Sequence, residues 1–518
     1  MLRLTTLLVL VVALAAVYLR QGGDAASPNS YITGRNNTAL FLVAEHHGLS
    51  NVHLATAQSL LERYPDIEVQ FASFPKLARK FPRLSALAQK KQPLARDIVF
   101  HRLTQGRSYV DALLDGMLGG YDDEGLSNMV YPPGLPGIEV LATGLQQILS
   151  PWPAEEHLAL HDEITALIDE LDPAVVVLDT IFGPAIEATR GKNRTHAFIT
   201  PNTLIDNFLA DQPYGQMFWK YPAMGSGFPY PVPWHLIPIN MYLNAKMIYN
   251  VMNMPDLAAK KAFLVEKGVV DPVRYYGLHR PDSPWLTQTT PGASIPMSVV
   301  PENVTCTGPI TLSPAPAEEQ DPELVEWIKR KPTVLFNLGS AFTYSIGQTE
   351  QTVGAIREVL DRSDLQVLWK FNLTPGFSYP WEEAVKPMVD TGRLRVSPWL
   401  NVDPPSLLQS GHIAAFVTHG GANGYHESIE AGVPQIVLPM WLDLYNFAQL
   451  AEQIGVGVWA CREMSPRWAP GCLADAILEV AGSDEMRGKA QQLSAQTRQT
   501  PGRDVAADVI AKLATSGK

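Results

Sequence analysis

The stretch from Ile413 to Pro434 limits what this chain can fold into more than any other. Ile413-Ala414-Ala415-Phe416-Val417 is a short apolar run with β-branched and aromatic residues, the pattern of a buried strand. The turn His419-Gly420-Gly421 follows, and then a helix-compatible segment that closes on Gly432 and Pro434. A strand feeding a glycine-rich turn and a helix exposes backbone N–H groups at the positive end of the helix, where an anion can approach closely. Asn423 adds an amide, His419 an imidazole N–H, and Glu427 a carboxylate that accepts from hydroxyls. Together they suit a diphosphate joined to a ribose. A bare His-Gly-Gly would be an ordinary βα connection, because short glycine patterns recur by chance; the longer string carries the information.

The rest of the chain is built to match. Ala39–Ala44 and Ile67–Ala72 are buried-strand runs separated by a helical pattern at 52–61, and Ala174–Leu178 is a third strand that ends at Asp179. Such β-α-β units cross over right-handedly into a parallel sheet, with ligands beyond the C-terminal strand ends. The turn containing His46 and His47 stands at one such end and Asp179 at another. Pro301 to Pro309, followed by Ser313-Pro314-Ala315-Pro316, reads as a linker. Beyond it the pattern restarts with the strands Thr333–Leu338 and Gln366–Phe371. A chain of 518 residues is too long for one ordinary core. The expected division is a segment 1–30, a first half 31–310, a hinge 311–330 and a second half 331–518. Residues Pro201 to about Asn250 are rich in Pro, aromatic residues and Met with little periodicity; they fit an apolar acceptor pocket, irregular packing or a membrane-facing patch equally well.

A net charge of −12 argues against a nucleic-acid partner. Leu4 to Leu19 carries no charge between Arg3 and Arg20, which marks a secretory-pathway signal peptide or signal anchor. It is short for a spanning helix, which usually needs about 20 residues. Acceptor sequons at Asn36, Asn193, Asn303 and Asn372 fit a luminal body. The expected location is the endoplasmic reticulum lumen or membrane, or outside the cell if the signal is cleaved. Cys306, Cys461 and Cys472 form no spaced framework and no zinc pattern.

His419, Gly421, Asn423, Glu427, Gly432, Pro434, Pro439 and Asp443 stand at the spacings of the donor-binding signature of UDP-dependent glycosyltransferases. Trp399 upstream and the region of Ala448 downstream extend the match. Over most of its length after residue 38 the chain resembles that family, fungal members in particular. The resemblance implies the α/β fold called GT-B, two Rossmann-like domains with parallel sheets facing across a cleft. It also implies inverting, metal-independent transfer of a hexose, glucose by family habit, from a UDP-sugar to a hydroxyl of a small lipophilic acceptor. The UDP-sugar is a co-substrate, and no other cofactor is implied. Carried over by position, Trp399 stacks on uracil, while His419, Gly421, Asn423, Gly424 and Ser340 surround the diphosphate. Glu427 meets the ribose and Asp443 the sugar hydroxyls.

An alcohol is a weak nucleophile, so a positioned base must take its proton, and a carboxylate behind an imidazole fixes its tautomer. The resemblance assigns these roles to a histidine in the first strand–helix turn and to Asp179. Aligning Asn51 with the family's helix start puts Leu49 at the histidine position, so His47 is the first choice and His46 the second. His53 reads as a packing or surface residue. Leu444 replaces the glutamine that usually follows the acidic residue, and Gly424 replaces a common hydroxyl. These departures leave a second reading open, a non-catalytic UDP-sugar-binding scaffold. A nucleotide-sugar epimerase is disfavoured by the targeting segment and the aromatic acceptor region.

Overall fold

The computed structural model describes residues 31–116, 119–273, 278–340 and 342–516. The targeting segment expected at 1–30 lies outside the described residues. Among the described residues, no helix is long and apolar enough to cross a membrane.

Two parallel sheets organise the chain. The first contains β1 (Arg35–Leu42), β2 (Glu68–Ser73), β3 (Val99–Arg102), β4 (Pro173–Asp179), β5 (His196–Thr200), β6 (Trp285–Thr287) and β7 (Val304–Cys306). Its strand order is β3-β2-β1-β4-β5-β6-β7. The second contains β8 (Thr333–Phe336), β9 (Gln366–Lys370), β10 (Leu394–Ser397), β11 (Ile413–Thr418), β12 (Gln435–Val437) and β13 (Gly457–Trp459). Its order is β10-β9-β8-β11-β12-β13. Helices cover both faces, so the central strands read as continuous apolar runs; every residue of β4 is buried.

Each sheet reverses its winding at one place, between β1 and β4 in the first and between β8 and β11 in the second. A crevice opens beyond the carboxyl ends of strands at such a switch point. The four segments leaving those strands hold His46 and His47, Asp179, Gly339 and Ser340, and His419. The topology alone therefore gathers these residues, while Trp399 and Asp443 arrive from the ends of β10 and β12.

Three features depart from the sequence reading. The stretch Pro301–Pro309 is not all linker: Val304–Cys306 pairs in parallel with β6 as an edge strand. Its three residues are too few, and too closely flanked by proline, to show a period. The final helix, Gly502–Ala514, packs back on the first sheet, where Ala506, Ala507, Ile510 and Ala511 join the core of β1, β2 and β4. Ser59 donates to Asp504 there at 2.6 Å. Cys461 and Cys472 are joined in a disulfide, with Cα atoms 5.6 Å apart. Cys472 opens the helix Pro470–Gly482, and the bridge ties that helix to the end of β13.

Candidate active site

A cavity of about 1840 Å³ fills the cleft between the sheets, lined by residues of both halves. Its floor on one side is the turn after β11. Gly420 has φ +86°, which lets the chain reverse tightly before the helix Ala422–Ala431. The glycines beside it make room for an imidazole. A Cβ on Gly421 would come within 2.7 Å of His419 Nε2, and one on Gly339, at φ +95°, within 2.9 Å of His419 Cε1. Burial pushes the His419 imidazole down to about 4, with Lys370 and His46 adding to the effect. It is neutral at pH 7, and its buried Nδ1 has no hydrogen-bond partner among the described residues. A buried polar atom left open at a helix N-terminus fits an incoming phosphate.

The other residues that the resemblance assigns to the donor flank that turn. Trp399 is 51% exposed, and the Lys370 ammonium lies 4.5 Å from its ring centroid. Glu427 projects into the cavity one helical turn beyond Asn423. Burial, with help from Glu430 and Asp403, raises its carboxyl to about 8. Asp443 immediately precedes the helix Leu444–Gln453 and accepts from Asn202 Nδ2 at 3.0 Å across the cleft. Burial and the neighbouring Asp206 push its carboxyl up to about 7, and Asp206 itself rises to about 6. Ser340 and Gly424 also line the cavity.

The first half closes over these residues. His46 caps the helix His47–Arg63, its Nδ1 accepting from the Gly48 N–H at 3.2 Å. The carbonyls of His47 and Gly48 accept from Asn423 Nδ2 at 3.1 and 3.2 Å, which locks the helix start of one half to the signature of the other. The His47 ring centroid is 6.3 Å from that of Trp399. Its Nδ1 is 3.0 Å from Lys80 Nζ. Burial first, then Lys80, depresses the His47 imidazole to about 3. His53 is fully buried and bonded to the carbonyls of Leu49 and Leu178, so it is a packing residue.

Asp179 stands where the sequence put it, at the end of β4, but its carboxylate faces the backbone. It accepts from the Ile181 N–H at 3.0 Å and the Ala44 N–H at 3.4 Å. Neither His46 nor His47 is hydrogen-bonded to it. The structure thus brings His47 to the donor turn and Asp179 to the adjoining strand end without joining them. Residues that sequence reasoning missed are Lys80, Lys370, Asn202 and Asp206. Among the described residues no group of three or more His, Cys, Asp or Glu side chains is placed to hold a metal ion.

The segment 201–250 answers its open question in two ways. Met217, Met224, Met247 and Ile248 line the cavity beyond Asp206. Trp234 and Tyr214 instead point outward, 83% and 90% exposed. The apolar wall is continued by Leu113, Leu145, Ile148 and Ile181.

Known proteins resemble this one along its length. The family model described as UDP-glucoronosyl and UDP-glucosyl transferase matches residues 251–501. Glycosyltransferase sdnJ of Sordaria araneosa is 34% identical over 442 residues, 82% of this chain and 84% of that protein. The rat 2-hydroxyacylsphingosine 1-beta-galactosyltransferase is 26% identical over 233 residues, 44% of this chain and 39% of its own. Among solved structures, Os79 from O. sativa, in complex with U2F and trichothecene, superposes with a TM-score of 0.60 at 16% identity, covering 92% of this chain and all of that one. A UDP-glucosyltransferase from Polygonum tinctorium capable of glucosylating indoxyl, in complex with 3,4-dichloroaniline, gives 0.57 at 16% identity, covering 93% of this chain and 99% of that one.

Proposed function

The chain belongs to the UDP-glucuronosyl and UDP-glucosyl transferase family and is a glycosyltransferase that moves a sugar from a UDP donor to an acceptor; from that premise we propose that the sugar is an uncharged hexose, glucose first, and the acceptor a small lipophilic alcohol or phenol. The observation that carries the sugar is the bond from Asn202 to Asp443 with Asp206 beside it. Two carboxyl groups at the sugar end suit a ring that presents hydroxyls. A hexuronate would set a third carboxylate against them.

The acceptor reading rests on the methionine- and leucine-lined end of the cavity, which offers apolar surface to a bulky molecule and few polar anchors. The solved relatives whose complexes contain a trichothecene and a dichloroaniline are consistent with acceptors of that character.

In the reaction the acceptor hydroxyl attacks the anomeric carbon, the bond to the β-phosphate oxygen breaks, and UDP leaves with the electron pair. The His47 imidazole takes the hydroxyl proton, with Asp179 as the acidic residue of the pair and His46 as the alternative base. One displacement without a covalent intermediate inverts the anomeric centre. The donor is held by Trp399 at uracil, Glu427 at ribose, and His419, Gly421, Asn423, Gly424 and Ser340 around the diphosphate. No metal or further cofactor enters this scheme. The Cys461–Cys472 bridge supports an oxidising, secretory compartment.

The test is acceptor-dependent UDP release, run with UDP-glucose, UDP-galactose and UDP-glucuronate against a mixture of hydrophobic alcohols and phenols. Release with a neutral hexose and none with the glucuronate is expected. Equal release with UDP-glucuronate would remove the charge argument. Tight UDP binding without release for any pair would favour the non-catalytic scaffold.

A further inference from the structure

Lys80 and Lys370 come from opposite halves and line the same cavity. Lys80 ends the short helical turn Pro75–Lys80 after β2, and Lys370 is the last residue of β9. Lys370 is 8% exposed, and its ammonium donates to the Gly339 carbonyl at 2.7 Å, beside the glycine that packs on His419. Lys80 is held only by neutral groups, His47 Nδ1 at 3.0 Å and Asn51 Oδ1 at 3.2 Å. Among the described residues neither ammonium has a carboxylate at ion-pairing distance. Asp403 and Glu427 act on Lys80 from farther away, and Asp403 is already bound by Arg83.

An ammonium withdrawn from water without a counter-ion is costly, and natural chains seldom keep one. This cleft keeps one buried, Lys370, and one half-buried, Lys80, next to three imidazoles held neutral, around the turn that expects a diphosphate. Burial pulls both amines down to about 8; at Lys80 the more distant Asp403 and Glu427 offset only part of it and Arg79 adds to it. The Gly424 position supplies no hydroxyl, so the site has one ordinary donor fewer and an excess of positive charge instead.

We propose that Lys80 and Lys370 are the counter-charges of the donor's diphosphate, one from each half, and that donor binding draws Lys80 away from His47. The inference rests on the donor reading above and extends it to residues outside the signature. As the anomeric carbon–oxygen bond breaks, its electron pair moves onto the β-phosphate oxygen, and the two ammoniums stabilise the charge that collects on UDP. The same movement frees the His47 Nδ1 lone pair and removes the cation that weakens this imidazole as a base. The acceptor's proton then has somewhere to go only when a donor is present.

The test is calorimetric titration of the full chain with UDP and with uridine, for wild type and for Lys80→Met, Lys370→Met, Lys80→Arg and Lys370→Arg. Loss of a charge-assisted bond should weaken UDP roughly ten- to a hundredfold in each Met variant. Uridine, which has no phosphate, should bind all variants alike, and the Arg variants should keep most of the UDP affinity. The unfolding midpoint without ligand should not fall in the Met variants, because an uncompensated charge has been removed. Met variants that bind UDP as tightly as wild type overturn the proposal. So do Met variants that lose UDP and uridine in the same proportion. A wild-type protein that binds neither ligand would overturn the donor reading itself.

Discussion

Replacing His47 by alanine isolates the imidazole, because the residue's other task belongs to its backbone. The Asn423 amide donates to the carbonyls of His47 and Gly48, and an alanine keeps both contacts. The donor turn should therefore survive the change, and UDP affinity should not fall, since losing the imidazole only releases Lys80. A positioned general base contributes roughly 10²–10⁴-fold, or about 2.7–5.5 kcal/mol at about 1.36 kcal/mol per decade. The space left beside Lys80 and Asn51 admits water, a weak substitute base, so the expected loss in kcat/KM is about 10²–10³-fold. His46→Ala is the matched control. Its Nδ1 caps the helix through the Gly48 N–H, so its removal should cost about 0.5–2 kcal/mol of stability with a smaller loss of turnover. Acceptor-dependent UDP release, UDP affinity and unfolding midpoint are measured on the same three proteins. Turnover within about tenfold of wild type for His47→Ala, combined with abolition by His46→Ala at intact stability, would refute the reasoning and move the base to His46.

Further outcomes are equally specific. Trp399→Ala should weaken both UDP and uridine by about 1–3 kcal/mol, the worth of stacking one base on an aromatic ring, which calorimetry reads directly; an unchanged uridine affinity would remove Trp399 from the base site. The Asp179 carboxyl is raised from 3.8 to about 7 by burial, against the Ile181 and Ala44 N–H groups that favour its charged form and with Glu45 opposing it. A raised carboxyl contributes stability that is complete below about 3.8 and is lost as pH rises through about 7. The wild-type unfolding midpoint should therefore drop between pH 5 and pH 8 by more than that of Asp179→Asn, and parallel curves would show that Asp179 does not titrate in that window.

What the sequence made legible was whatever lies in one continuous run. The core strands announce themselves because both faces of each sheet are covered, so β4 is apolar from Pro173 to Leu178. The donor signature is legible because one strand, one turn and one helix deliver its residues. The groups that were missed belong to several separate segments and meet only through the fold. Lys80 sits in Lys76-Leu77-Ala78-Arg79-Lys80, where Lys76 and Arg79 are exposed and nothing local marks the last lysine as different. Lys370 did carry a signal, a charge on the end of an otherwise buried strand. Asn202 and Asp206 follow β5, whose five residues begin with histidine and lie between polar neighbours, so no apolar run drew attention to the strand end. The histidine pair lines the cleft, and its lack of a bond to Asp179 depends on side-chain rotamers that spacing does not encode.

The division of labour between the halves explains why the cleft is stitched as it is. Asn423 holds the helix start of the first half, Asn202 holds Asp443 of the second, and Asn446 donates to the Ala223 carbonyl at 3.1 Å. Leu442 N–H adds a bond to the Tyr131 hydroxyl at 2.7 Å. At the far end the last helix crosses back, where Arg503 pairs with Glu62 at 2.8 Å. Most of these cross-links near the site are amide or hydroxyl contacts, and one ion pair, Arg83 with Asp403, also joins the halves at the cavity wall. Amide contacts such as those of Asn423 leave Lys80 and Lys370 without a carboxylate at ion-pairing distance, which a diphosphate can then supply. A carboxylate paired directly with either lysine would cancel that charge before a donor arrived.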